Sequence, residues 1–393
     1  NWSVPLGTPG SNGETDLLIG GYFATEDFTS DRSAETGADA DNYLNALISD
    51  GAGSVACLPP VADVDCLFPT GIEALLPDGE FSNEYYFQDT KTYGLFAHAR
   101  TRLTDRLRLI TGIRFNREEK DGGVDNRFWY DSAIVRAALE AAGVPDDGTP
   151  RNGLDLTGTV YSPSFTDRTR DDEVTGTLSM QYDASDEVMM YVGYRRGFKA
   201  GGVNLFREGA ITNTTTYAPE FVDQFEVGLK ADYWDGRARS NLSIFSSRFD
   251  DLQFNFFTGL EFRTENVGEA KSEGVELENY FQLTDNFRAD VSITYLRARF
   301  TKIDNPFIDY LEGRDTPRAP RWSGTSTLIY ERPLTGRFNL FARAMFSYTG
   351  EHFVGADVPN EPKVDAYWLA DANLGVKTDD GQWEVTAWCT NCT

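Results

Sequence analysis

Apolar and polar residues alternate one for one along most of this chain. That is the two-residue period of a β-strand whose faces meet different surroundings. Tyr93, Leu95, Ala97, Ala99, Thr101 and Leu103 share one face, and Gly94, Phe96, His98, Arg100 and Arg102 share the other. After the turn Thr104-Asp105, Leu107, Leu109, Thr111, Ile113 and Phe115 oppose Arg106, Arg108, Gly112, Arg114 and Asn116. Charges at every second position of a long strand need water or partners on that side. Strands of this kind are expected at 17–25, on both sides of Thr104-Asp105, and at 172–183, 187–198, 221–233 and 237–250. More follow at 271–283, 287–300, 321–332, 337–349, 366–377 and 382–390. The total is about thirteen, most of ten or more residues, where strands of globular proteins average about five or six.

The connections fall into two kinds. Thr104-Asp105, Ala184-Ser185-Asp186, Trp234-Asp235-Gly236, Thr284-Asp285-Asn286, 333–336 and Asp379-Asp380-Gly381 make tight turns. Between them lie long segments: 26–91, 121–171, 199–219, the aromatic-rich 251–270, 301–319 and 350–365. Residues 1–15, rich in Gly, Pro, Ser and Asn, read as loop. Two short helices are expected inside the long segments. One spans 40–49, with Tyr43, Leu44, Leu47 and Ile48 on one face; the other spans 132–142, after an Asp131 or Ser132 cap. Long loops on one end of the strands and short turns on the other are the pattern of an outer-membrane barrel. A β-propeller would instead repeat at a fixed length. Each tight turn is then periplasmic and each long loop external.

Composition agrees with this reading. The chain has 393 residues, a formal net charge of -26 and 13% aromatics. Such acidity repels nucleic acid. No apolar run approaches the about 20 residues of a membrane helix, but a barrel strand shows lipid only alternate residues. The chain begins at Asn1 without a charged-then-apolar leader, so a processed or incomplete polypeptide is expected. Cys57 and Cys66, in a Pro-rich loop, are expected to close a small disulfide, which places the chain in an oxidising compartment. Cys389 and Cys392 form a CxxC at the chain's end, with no second ligand pair for zinc and no βαβ pattern for redox work.

Several ordered motifs carry a family resemblance. They include Gln88-Asp89-Thr90-Lys91-Thr92-Tyr93-Gly94, Leu103-Thr104-Asp105-Arg106-Leu107 and Gly112-Ile113-Arg114-Phe115. They continue through Gly193-Tyr194-Arg195-Arg196-Gly197-Phe198-Lys199-Ala200-Gly201-Gly202-Val203-Asn204 and from Pro219-Glu220 through Phe225-Glu226-Val227-Gly228-Leu229-Lys230. Asn266-Val267-Gly268, Glu273-Gly274-Val275-Glu276-Leu277-Glu278, Ala319-Pro320 and Trp383-Glu384-Val385 complete the set. In this order the chain resembles, from about Leu17 to its end, the β-barrel of a TonB-dependent outer-membrane receptor of the siderophore-receptor-like group. The resemblance implies an all-β, transmembrane antiparallel barrel in the outer membrane of a Gram-negative bacterium, closed in that family by about 22 strands around a plug. Residues 1–393 then form a partial barrel domain, with the plug, the early strands and the closing strand outside it. The ending Trp388-Cys389-Thr390-Asn391-Cys392-Thr393 departs from the family's usual Trp, two variable residues and Asn-Leu-Thr.

The resemblance implies uptake rather than catalysis, and no cofactor. The implied partners are the TonB complex through the plug, the outer-membrane lipid, and a small-molecule ligand such as a ferric siderophore or another metal chelate. A passive porin, or uptake of a saccharide or vitamin, is the alternative. Aromatics with arginine suit a planar or anionic chelate, so Trp129, Tyr130, Phe206, Arg207, Tyr217, Phe254, Phe256 and Phe257 are the expected ligand contacts. The competing expectation is that these residues pack the loops or form an interfacial girdle. Arg100, Arg114, Glu226, Lys230, Arg288 and Asp290 are expected to face the plug. Arg195, Arg196 and Lys199 read as structural. His98 and His352 lie too far apart in sequence to suggest a metal site, and Asp171-Asp172-Glu173 reads as a solvated acidic loop base rather than a calcium site.

Overall fold

A computed structural model describes residues 2–6, 12–36, 79–128, 164–205, 215–257, 262–356 and 362–392. The strands in chain order begin with β1 (Trp2–Leu6), β2 (Thr15–Thr36), β3 (Gly79–Arg102), β4 (Leu107–Phe128), β5 (Phe165–Asp183), β6 (Val188–Lys199) and β7 (Gly202–Val203). Next come β8 (Thr216–Tyr217), β9 (Glu220–Tyr233), β10 (Ala238–Asp250), β11 (Gln253–Phe257), β12 (Phe262–Asn266), β13 (Gly268–Thr284) and β14 (Phe287–Ile303). The last are β15 (Trp322–Thr335), β16 (Phe338–Thr349), β17 (His352–Phe353), β18 (Lys363–Val364), β19 (Tyr367–Thr378) and β20 (Glu384–Cys389). Fourteen of them form one sheet in sequential order, β1-β2-β3-β4-β5-β6-β9-β10-β13-β14-β15-β16-β19-β20, each pair antiparallel. No helix among the described residues is long and apolar enough to cross a membrane.

The expected strands are all present, and the long ones are longer than the alternation suggests. β2, β3, β4 and β5 reach 22, 24, 22 and 19 residues. About ten suffice to cross the bilayer. The remainder extends past the external interface, where both faces meet water and apolar alternation lapses. The segments 26–91 and 121–171 are shorter as loops for that reason. Residues 1–15 are not wholly loop: Trp2–Leu6 pairs with Thr15–Ile19 at the edge of the sheet. The helices expected at 40–49 and 132–142, and the Cys57–Cys66 bridge, lie outside the described residues.

The two faces of the sheet differ as the alternation demands. Leu95, Ile113, Leu178, Val192, Val227, Ile244, Ile293 and Leu374 stand exposed on one face. The opposite face carries Arg100, Arg114, Gln181, Glu226, Lys230, Glu278 and Arg343, as the strand register places them. Rings gather at two heights on the apolar face. Phe23–Tyr93, Tyr194–Phe225, Tyr295–Trp322 and Tyr348–Trp368 pair at 4.8 to 5.0 Å near the external end. Trp234 sits beside Phe281 near the tight turns. These are the two aromatic girdles that bound a lipid-facing belt.

Glycines let rings lie across the strands. A Cβ on Gly94 would stand 1.8 Å from the Tyr22 ring, one on Gly228 2.3 Å from Tyr191, and one on Gly375 2.5 Å from Phe341. Each ring covers the glycine of the next strand on the polar face, sealing backbone that has no side chain of its own.

Candidate functional site

The external ends of the strands carry a small folded cap. Its core is Phe256, Val267, Phe300, Ile303, Ile308, Leu311 and Ala356, with Leu252, Phe254 and Tyr310 packed against it. These residues come from β11, the β12–β13 junction, β14, the 3-10 turn Asp309–Leu311, and the segment after β17. The aromatic-rich stretch 251–257 and the loop 301–319 therefore fold onto one another. In the sheet itself the apolar face is exposed, so this cluster is the main dry interior among the described residues.

Amide side chains tie the cap together by imitating backbone. Asn204 is 1% exposed; its Nδ2 donates to the Thr264 carbonyl at 2.9 Å, and its Oδ1 accepts from the Thr264 amide at 3.1 Å. Gln253 Nε2 donates to the Ala200 and Ala218 carbonyls, each at 2.9 Å. Asn266 accepts from the Ala218 amide at 2.7 Å and donates to the Asp251 carbonyl at 2.7 Å. Such amide bonds fix a loop more firmly than apolar contact alone, because a misplacement orphans buried polar groups; Gln253 Oε1 alone of these amide oxygens has no partner among the described residues.

The Gly-rich bend after β6 is held from the other side. The Gly201 amide donates to Asp171 Oδ2 at 2.8 Å, and Lys120 Nζ donates to the Gly201 carbonyl at 2.8 Å. A Cβ on Gly201 would stand 2.4 Å from the Tyr217 carbonyl, so only glycine allows that approach. Burial pushes the Asp171 carboxyl up from its ordinary value, against the Gly201 amide and Lys120, which pull it down. Asp172 points to the other face, where its bond to Arg117 at 2.5 Å holds it below the usual carboxylate range. Asp171, Asp172 and Glu173 are consecutive residues of β5, not a loop base, and their alternation leaves no shared pocket for an ion. No group of three metal-binding side chains occurs among the described residues.

The expected ligand contacts separate. Phe256 is 1% exposed beneath the Arg263 guanidinium, 5.6 Å from the ring centre, and packs the cap; it has no surface to offer a ligand. Phe254 is half-buried and meets Phe300 edge-on at 5.5 Å. Tyr217 is half-buried, its hydroxyl lying over Gly202. Phe257 ends β11. Trp129, Tyr130, Phe206 and Arg207 lie outside the described residues.

Arg100, Arg114, Glu226, Lys230, Arg288 and Asp290 all lie on the polar face. Arg114 stacks on Tyr22 at 4.7 Å and donates to its hydroxyl. Glu226 accepts from Tyr191 at 2.5 Å and from Arg195 at 2.7 Å, so Arg195 belongs to the same wall. Arg288 and Asp290 pair at 3.2 Å, yet Arg288 Nε and Asp290 Oδ1 have no partner among the described residues. The pairing Arg195–Glu226 was not foreseen; register β6-on-β9, invisible in sequence, creates it. Cys389 and Cys392 are joined as a disulfide that closes a turn at the end of β20.

Comparison with known proteins adds the family. The family described as TonB dependent receptor-like, beta-barrel matches residues 8–392. The pesticin receptor of Yersinia pestis is 24% identical over 223 residues, which cover 56% of this chain and 31% of that protein. The metal-pseudopaline receptor CntO of Pseudomonas aeruginosa is 26% identical over 215 residues, 52% of this chain and 29% of that one. The chain thus spans about a third of the length of these curated relatives. Among solved structures, the ferric yersiniabactin uptake receptor FyuA of Yersinia pestis superposes with a TM-score of 0.67 at 16% identity, over 96% of this chain and 46% of that one. The ferric-catecholate import receptor Fiu of E. coli, in its closed form, gives 0.62 at 16%, over 99% of this chain and 49% of its own. This chain belongs to the TonB-dependent receptor β-barrel family, the Gram-negative outer-membrane barrels.

Proposed function

We propose that this chain is the barrel wall of an active transporter that takes a ferric siderophore or a similar metal chelate into the periplasm, energised through TonB. The observation that carries the reading is the polar face itself. It presents paired and unpaired charges, Arg195–Glu226 and Arg288–Asp290 among them, along a wall capped by a fixed external platform. A passive pore has little use for a folded cap across its external ends. In this reading the plug and the remaining strands come from polypeptide outside these residues. Arg100, Arg114, Glu226, Lys230, Arg288 and Asp290 then face the plug, and Tyr217 and Phe254 stand nearest the ligand. The relatives named for pesticin, metal-pseudopaline and ferric yersiniabactin favour a metal chelate as cargo.

The test is uptake of radiolabelled ferric chelates by cells with and without the gene, each with and without a protonophore. Uptake that needs both the gene and the proton gradient is the expected result. Conductance of the purified intact protein in a planar bilayer, with no energy source, would favour the passive channel instead. Gradient-dependent uptake of a saccharide or vitamin, with no chelate transported, would keep the mechanism and replace the cargo.

A further inference from the structure

The CxxC pair lies at and just past the end of β20, where an extended chain would keep its two members apart. In a straight strand, residues three apart point to opposite faces with Cα atoms about 10 Å from each other. A pair more than about 7 Å apart cannot be bridged. Cys389 and Cys392 are nevertheless joined, with Cα atoms 5.9 Å apart. The ladder shows how. β20 pairs with β19 from Lys377 opposite Glu384 to Ala372 opposite Cys389. Continued unbroken, it would set Asn391 opposite Ala370. Instead the Cys392 amide donates to the Ala370 carbonyl at 2.7 Å. The residue in excess is Asn391, at a φ of 50°, and its amide turns to Asp371 Oδ1 at 2.8 Å. This is a β-bulge with a left-handed residue in it, a conformation that asparagine tolerates better than most.

The bulge decides which face each cysteine takes. Ala370 and Ala372 alternate with Trp368 and Leu374 on the apolar face of β19. Cys389, opposite Ala372, shares that face, and the extra residue brings Cys392, opposite Ala370, onto it as well. In a straight strand Cys392 would point to the polar face, out of reach of Cys389. Bridge and bulge therefore require each other. The disulfide holds the extra residue in, and removing the extra residue would part the sulfurs. A change of one residue in register also reverses the facing of any strand residue that follows it. The pair sits within the lipid-facing belt, at the level of Ala370 and Ala372 and so inside the external girdle at Tyr348–Trp368.

We propose that Cys389 and Cys392 are the substrate site of a periplasmic dithiol–disulfide oxidoreductase, and that their oxidation fixes the register of β20 before the barrel enters the membrane. The chemistry is thiol–disulfide exchange. One cysteine thiolate attacks the partner's disulfide, forms a mixed disulfide and releases one partner thiolate. The second cysteine thiolate then attacks the mixed disulfide, which closes Cys389–Cys392 and leaves the partner as a dithiol. Two electrons and two protons pass from the chain to the partner. The order of events follows from the location. Both cysteines are exposed on the sheet. Once that face meets hydrocarbon, neither a thiolate nor a water-borne enzyme is stable beside them, so the exchange belongs to the periplasm. Register matters here because a strand that slips by one residue leaves backbone groups unpaired, which a bilayer does not tolerate.

The test uses the intact protein in cells with and without their periplasmic thiol oxidase. It carries Cys57→Ser and Cys66→Ser, so that no other cysteine of the chain responds. A maleimide polymer counts free thiols by its mass shift, and heat-modifiable migration on a gel separates assembled from unassembled protein. Without the oxidase both thiols should be free and the assembled form should fall about tenfold or more. Cystine added to the medium should restore both. Cys389→Ser/Cys392→Ser should assemble equally poorly with and without the oxidase, and cystine should not help it. Adding Asn391→Gly to that variant should recover part of the assembly, because glycine takes the left-handed conformation without a bridge. Should the serine variants fail to fold at all, the cysteine-bearing protein with cystine withheld or supplied decides alone. Full assembly with both thiols free overturns the register role. Complete oxidation in cells without the oxidase overturns the assignment of the partner.

Discussion

At the scale of single residues, the glycines of the polar face set the clearest expectation. Gly228 lies under the Tyr191 ring, whose hydroxyl donates to Glu226 at 2.5 Å. Gly228→Ala must move that ring and break the bond, an overpacking expected to cost about 1–3 kcal/mol. The double variant Tyr191→Ala/Gly228→Ala should recover part of the loss, because the clash is gone. Gly336→Ala, with nothing within 4 Å, should be near neutral. Urea midpoints of the folded-to-unfolded gel shift would show the order. Asp171 offers a pH counterpart. Burial raises its carboxyl above the ordinary value. Between the two values the folded protein binds more protons than the unfolded chain, so the bend after β6 loses stability as pH rises through that window. Asp171→Asn keeps an acceptor for the Gly201 amide and removes the charge. Hydrogen exchange over 199–205 should therefore favour the wild type progressively, relative to this variant, as pH falls from about 7 towards 4. A pH-independent ratio would mean that the carboxyl is no more buried than a surface one. Neither relation was legible in the sequence, where a glycine in a strand reads only as a weak spot and 171–173 read as one acidic run.

At the scale of elements, legibility followed the solvent. Wherever one face meets lipid and the other water, the alternation marks the strand, as in β4, β6, β9 and β14. Where both faces meet water the same strand is silent, and β3 begins at Gly79 rather than near Thr92. The cap was hidden for another reason: its bonds join distant residues, Asn204 to Thr264 and Gln253 to Ala200, and no local pattern announces such a pair. Its aromatics, read as ligand contacts or packing, divide by burial, with Phe256 inside. Phe256→Ala should cost about 3–5 kcal/mol of cap stability, with the sheet intact. Trypsin offers a direct readout. Arg263 is 7% exposed and shielded from the protease in the wild type, and cleavage after it should appear in the variant while heat-modifiable migration persists. Cleavage at equal rates in both would mean that the cap opens without its core.

At the scale of the whole molecule, the sheet is an inversion of a soluble protein. Among the described residues, its large apolar side chains stand outside, its charges line the other face, and its main dry interior lies at the external end. Net charge and mean hydropathy average over these faces, which is why the acidic, outwardly soluble composition conceals the membrane belt. Depth should then govern the cost of a new charge. Met190 is 46% exposed on the apolar face, midway between Asp186 of the tight turn before β6 and the Tyr194–Phe225 pair. Met190→Arg should cost about 2–4 kcal/mol on folding into phosphatidylcholine vesicles. Thr25, on the same face but one alternation outside the Phe23–Tyr93 pair, should accept Arg for about 0–1 kcal/mol. Thr177, opposite Arg195 on the polar face, should accept it without a depth-dependent cost, since no hydrocarbon lies on that side. A soluble β-protein would rank these three sites by packing alone, and the depth order would vanish in detergent-free buffer. The lipid-facing reading requires that the order appear in vesicles and that thinner bilayers shrink the penalty at Met190 first, because headgroups and water then approach the belt's centre while Thr25 is already among them.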